Sequence, residues 1–172
     1  MKVGGTHYRS LWWDTAKNAL QIIDQRWLPH DFRIQQLETV DDYAVAIRDM
    51  HVRGAPLIGA TAAYGVAVQM ALDCSEAGLT RATETLLATR PTAVNLRWAL
   101  ERCRDLLAPL SSAARADAAL KLAHAIADED VEINRRIGEN GLQLISEIAA
   151  ARNGEPVRIL THCNAGWLAT VD

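Results

Sequence analysis

Short apolar runs separated by a polar connection stand near the start of the chain, and apolar positions then recur with helical spacing through most of its length. Residues 10–14 and 20–23 are apolar and aromatic, and the polar run Asp14-Thr15-Ala16-Lys17-Asn18 between them suits a tight connection. A small β-hairpin packed through Trp12, Trp13, Ile22 and Ile23 is predicted there. Pro29 interrupts the pattern, and a short extended piece follows near residues 33–37. Thr39 with Asp42 three residues later marks a helix start. That helix runs to about Met50, with Tyr43, Ile47 and Met50 on one face. Residues 57–73 are nearly free of charge and rich in small side chains, which predicts a buried central helix opened by Pro56. Gly59 and Gly65 lower helix propensity there, so their expected use is close helix packing.

Further helices are predicted over residues 79–88, from Leu96 through Leu100 and Leu107 toward Leu110, over 113–138, and over 141–151. In the long one, Leu120, Ala123, Ala127 and Val131 form the expected buried side, and Asn153-Gly154 is a stop signal. After Pro156 the character changes. Residues 157–161 read as a short β strand, followed by the small-residue turn His162-Cys163-Asn164-Ala165-Gly166. The expectation is a helical domain over residues 1–152, carrying the hairpin, and the opening strand of an α/β domain over 153–172. A single strand leaves its edges unpaired, so the second unit is expected to be completed by further polypeptide or by a partner chain.

Composition narrows the function classes. The chain has 172 residues, 49% of them apolar, and a formal net charge of −3. That balance suits a globular protein and offers no basic stripe for nucleic acid or an acidic membrane. No apolar run reaches the roughly 20 residues of a membrane span, and the N-terminus has no signal-peptide pattern. Cys74, Cys103 and Cys163 are odd in number and widely spaced, which fits neither a disulfide framework nor a structural zinc site. A reducing cytosol is the simple reading. Phosphate-loop, dinucleotide and HExxH patterns are absent.

Three segments carry candidate chemistry. Arg53-Gly54-Ala55-Pro56 opens a helix, where free amides and the helix dipole favour an anion and an arginine adds a fork of donors. The bland alternative is a helix start with a surface arginine. Arg90-Pro91-Thr92 repeats the arrangement, and one phosphorylated metabolite held between the two would use both. Cys163 follows the expected strand and is read as a proton-transfer thiol, a nucleophile or an inert core cysteine. Asn164 beside it has an amide to donate. His162 points the other way on an extended chain. Asp128, Glu129 and Asp130 read as a solvated helix face.

Taken together, residues 53–59, 90–96 and 159–166 resemble the S-methyl-5-thioribose-1-phosphate isomerase family of methionine salvage, and residues 10–13 and 27–29 fit it too. The resemblance covers essentially the whole chain but about half of that family's usual length. It implies conversion of 5-methylthioribose 1-phosphate to 5-methylthioribulose 1-phosphate without metal or other cofactor. It also implies the fold shared with the regulatory subunits of translation initiation factor 2B: a helical N-terminal domain, then a Rossmann-like domain, truncated here, through which homodimers form. Cys163 then corresponds to the catalytic cysteine, and Arg53, Gly54, Ala55, Arg90 and Asn164 to substrate and phosphate contacts. The family's catalytic aspartate falls beyond Asp172, so the segment alone is expected to be inactive. A ribose-1,5-bisphosphate isomerase and a non-catalytic regulatory subunit are the alternatives within the superfamily.

Overall fold

The computed structural model describes residues 2–162 and 165–172. A short hairpin, β1 (Lys2–Val3) and β2 (Thr6–His7), leads into a three-stranded antiparallel sheet. Its strands are β3 (Leu11–Asp14), β4 (Ala19–Ile23) and β5 (Ile34–Leu37), with β4 in the centre. Leu11 faces Ile22 across the first pair and Leu20 faces Leu37 across the second. Five helices follow: α1 (Val40–Arg48), α2 (Ala55–Leu72), α3 (Glu76–Thr89), α4 (Val94–Leu107) and α5 (Ser112–Ala151). A single 3-10 turn, Trp167–Ala169, closes the described chain.

This order corrects the expected fold class. A hairpin and a three-stranded sheet come first and a helical bundle follows them, whereas an α-helical domain with only a small β-hairpin, followed by the first strand of a truncated Rossmann-like domain, was expected. Among the described residues no strand follows the helices. Residues 157–161 have β-prone side chains but no neighbouring strand to pair with. Ile159 is 70% exposed and Leu160 99% exposed, so neither burial nor a hydrogen-bond ladder supports a strand. The hairpin itself forms as expected, its turn closing with Asn18 at φ 51°.

Helix α2 is the spine of the bundle. By length and composition it would suffice to cross a membrane, yet most of its surface is buried by its neighbours. Close approach depends on its small residues. A Cβ on Gly65 would sit 3.1 Å from Leu86 and from the Tyr43 ring, and one on Gly59 would sit 3.0 Å from the Asn95 carbonyl oxygen. Apolar side chains from the sheet, Leu11, Leu20, Ile22 and Leu37, join the same core. Tyr43 and Ile47 of α1 are buried as predicted, but Met50 lies past the helix end and is half exposed. Thr39 caps α1 in a reciprocal capping box with Asp42.

The two helices expected over residues 113–138 and 141–151 are one helix of 40 residues, α5. Gly138 and Gly141 do not break it, because an interior glycine costs about 1 kcal/mol and leaves the hydrogen-bond ladder intact. A Cβ at either would meet nothing within 4 Å. The helix ends before Asn153 and Gly154, both at positive φ, as the stop signal predicts.

These environments predict opposite effects at two glycines. Gly65→Val should lower stability in urea denaturation by about 1–3 kcal/mol through overpacking. Gly138→Ala should raise it by about 0.5–1 kcal/mol through helix propensity. A stable Gly65→Val variant would contradict the close α1–α2–α3 packing.

Candidate active site

The first turn of α2 begins at Gly54, whose backbone sits at φ 97° and makes no side-chain cap. The first intrahelical bond runs from the Ile58 amide to the Gly54 carbonyl at 3.0 Å. Pro56 has no amide hydrogen, so the donors of this turn without an intrahelical partner are those of Ala55 and Leu57, and of the two only Ala55 is exposed. No acidic residue neutralises the turn. Helix α4 starts in the same way, uncapped at Ala93 and without an acid in its first turn. Helix α5 also lacks a side-chain cap, so that feature alone distinguishes neither. What does distinguish α2 and α4 is an arginine just ahead of each and their mutual approach. Gly59 of α2 touches Asn95 in the first turn of α4. Five residues of helix rise about 7.5 Å, so that contact lies about a turn and a half beyond Gly54.

Arg53 is half-buried, and its Nε donates to Gln25 Oε1 at 3.4 Å, a long bond that does not use the terminal nitrogens. Ala55 is exposed. Arg90 ends α3 and is exposed, with its carbonyl accepting from the Ala93 amide. The thiol and amide expected at Cys163 and Asn164 lie outside the described residues. The described chain resumes at Ala165 and returns directly to the α2 start.

That return is the closest contact in the region. A Cβ built on Gly54 would lie 2.4 Å from both Cα and the carbonyl oxygen of Ala169, and 2.6 Å from its Cβ. Only glycine admits the 3-10 turn at that distance, and its positive φ is a second reason for glycine. The turn is held by groups from every part of the domain. Ser10 donates its amide to the Val171 carbonyl at 2.8 Å and its hydroxyl to the Trp167 carbonyl at 3.0 Å. Gln25 Nε2 donates to the Leu168 carbonyl at 2.7 Å. The Val171 amide donates to Asp130 at 2.7 Å. Val171 is fully buried.

Electrostatics around this dock are sorted by partner. Burial raises Asp130 above the ordinary carboxylate range, against the lowering effect of the Val171 amide and Asn134. Burial acts the same way on Asp24, but hydrogen bonds and charge from Arg26 outweigh it and hold that carboxyl below its usual value. Burial lowers His51, two residues before Arg53, with Arg26 adding to the effect. Its Nδ1 is 2.8 Å from Gln35 Oε1, an acceptor, so Nδ1 carries the proton. Burial pushes the Cys103 thiol up to about 12, which makes it an inert core group at neutral pH. Among the described residues no three His, Cys, Asp or Glu side chains are grouped to hold a metal.

Two surface cavities of 440 and 450 Å³ lie elsewhere, on either side of Trp13 between the β3–β4 hairpin and helices α2 and α5. Neither is lined by Arg53, Gly54, Ala55 or Arg90. Sequence reasoning did not identify Ser10, Gln25 and Asp130 as parts of the dock. Asp130 is half-buried and bonded, in place of the solvated face expected for residues 128–130. A signal existed for Gln25: a polar pair, Asp24-Gln25, directly after the apolar end of a strand.

Gly54→Ala should release the turn. Left-handed strain costs about 1–3 kcal/mol before any clash is counted, so amide exchange at Ala169, Thr170 and Val171 should speed up about tenfold or more. Unchanged protection there would refute the dock.

Comparison with known proteins gives the chain its relatives. The profile of the Initiation factor 2 subunit family matches residues 51–171. A methylthioribose-1-phosphate isomerase from Brucella anthropi is 64% identical over 173 residues, covering 100% of this chain and 48% of that protein. The crystal structure of 5-methylthioribose 1-phosphate isomerase from Pyrococcus horikoshii is similar with a TM-score of 0.82 and 36% identity, over 96% of this chain and 46% of that one. The delta subunit of translation initiation factor eIF-2B from A. fulgidus is similar with a TM-score of 0.78 and 35% identity, over 96% and 48%. The chain thus spans about half the length of the curated relatives it matches.

Proposed function

The chain belongs to the Initiation factor 2 subunit family, and on that premise we propose that it supplies the N-terminal part of an aldose–ketose isomerase. The full-length protein converts 5-methylthioribose 1-phosphate to 5-methylthioribulose 1-phosphate. The observation that carries this reading is the seating of Ala169 on Gly54, because it ties the chain just after Cys163 to an anion-ready helix start.

In this reading the phosphate sits at the start of α2, on the exposed Ala55 amide and the Arg53 guanidinium, with Arg90 reaching it from the α3–α4 connection. Asn164 donates to the sugar. A phosphate on C1 prevents ordinary opening to a free aldehyde, so a proton must be given to the ring oxygen as the C1–O bond breaks. The hydrogen at C2 then leaves as a proton, its electron pair forms the C1–C2 double bond, and a proton is delivered to C1 while O2 becomes a carbonyl. Cys163 serves the carbon atoms, and an aspartate from beyond residue 172 serves the oxygens. Residues 1–172 alone are accordingly inactive.

A second reading, a non-catalytic regulatory subunit, is favoured by the similarity to the initiation-factor delta subunit. It predicts ligand binding without turnover. A ribose-1,5-bisphosphate isomerase would turn over that sugar in preference to the methylthio sugar.

Assay of the full-length protein with both sugar phosphates in D₂O separates these. We expect turnover of 5-methylthioribose 1-phosphate with solvent deuterium at product C1, and a loss of at least about 10²-fold in kcat for Cys163→Ala. Full retention of the substrate C2 hydrogen would contradict proton transfer by the thiol. Absence of turnover would defeat the isomerase.

A further inference from the structure

Gln25 occupies a position whose chemistry no other side chain reproduces. It lies two residues past β4, is only 2% exposed, and is tied by its backbone amide to the His51 carbonyl at 2.9 Å. Its carboxamide faces two different partners. Oε1 accepts from Arg53 Nε at 3.4 Å, and Nε2 donates to the Leu168 carbonyl at 2.7 Å. Arginine only donates and a carbonyl only accepts, so this amide has a single permitted orientation. A glutamate here would meet the Leu168 carbonyl with like charge, and a lysine would do the same to Arg53.

The surroundings keep that link intact. Asp24, next in the chain and buried, is paired away from Arg53. Its oxygens are taken by Arg26 Nε at 2.9 Å, Arg26 NH2 at 2.6 Å and Trp27 Nε1 at 3.2 Å. Arg53 is thereby oriented by a neutral group through Nε, and its charge is left to an outside anion. The same neutral group holds the carbonyl one residue ahead of the Gly54–Ala169 contact.

We propose that Gln25 is a positioning residue that couples occupation of the phosphate site to docking of the turn behind Cys163. An anion that straightens Arg53 toward the helix start strengthens the Arg53–Gln25 bond, which fixes the carboxamide on Leu168 and so holds the turn. By reciprocity, a docked turn raises affinity for the anion. This rests on the sugar-phosphate reading of the site, and its consequence is that the thiol is brought into place when the phosphate arrives.

The test uses the full-length protein with inorganic phosphate as the probe, so that it does not depend on turnover. Phosphate at saturation should slow amide exchange of Ala169, Thr170 and Val171 by about fivefold or more, the lower end of ordinary coupling between sites. Gln25→Met, which keeps the volume and removes both polar ends, should abolish that slowing and weaken phosphate binding. A role limited to stability predicts a lower melting temperature with the slowing retained, which would overturn the proposal. If Gln25→Met does not fold, Arg53→Lys makes the same test, since it keeps the charge and loses Nε; retained slowing in it overturns the proposal. No phosphate binding to the wild-type protein, or binding without slowed exchange, also overturns it. Lack of isomerase turnover in a protein that shows the coupling defeats only the sugar substrate.

Discussion

The absence of one side chain, at Gly54, is the constraint on which the site depends. There the backbone of residues 168–170 rests where any other residue would place its Cβ. The contact joins two segments more than a hundred residues apart and leaves no slack between them. Hydrogen bonds from Ser10, Gln25 and Asp130 then hold the turn from three sides, but they act at a distance that Gly54 alone permits. The side chains of Ser10, Gln25 and Asp130 are each paired with the backbone of the turn, which is the condition for burying such groups at low cost.

Helix α2 gives that contact its rigidity. Its flanks are Ala, Gly and Thr at the crossings, so α1, α3, α4 and α5 all approach closely, and the first turn has little freedom to tilt. The small-residue approach at Gly59 also packs the first turn of α4 against α2, about a turn and a half beyond Gly54. Filling Gly59 or Gly65 would be felt at the site as well as in stability.

Most of this was readable along the chain where a local rule dominates. The hairpin, the capped start at Thr39, the buried α2 and the stop at Asn153 each rest on neighbours in sequence. The departures have non-local causes. Residues 157–161 have strand composition, but a strand exists only with a partner, and none lies beside them among the described residues. Gly138 and Gly141 suggested a break, yet a helix tolerates isolated glycines when its ladder is otherwise complete. The roles of Ser10 and Asp130 depend on a segment far downstream, so their own neighbourhoods could not disclose them, and for Gln25 the only local sign was the polar pair it forms with Asp24 at the end of a strand. Gly54 and Ala55 stand at a helix start, as Pro56 led one to expect, and the returning chain lies beside Gly54, whereas Cys163 and Asn164 lie outside the described residues.

The central claim is that the Cys163 thiol and the anion-ready start of α2 belong to one site. Its most direct measurement is the rate of Cys163 alkylation in the full-length protein, followed by peptide mass spectrometry with and without 5-methylthioribose 1-phosphate. The sugar phosphate is expected to protect Cys163, while the buried Cys103 stays unmodified in either case. Alkylation of Cys163 at an unchanged rate under saturating sugar phosphate would contradict the account.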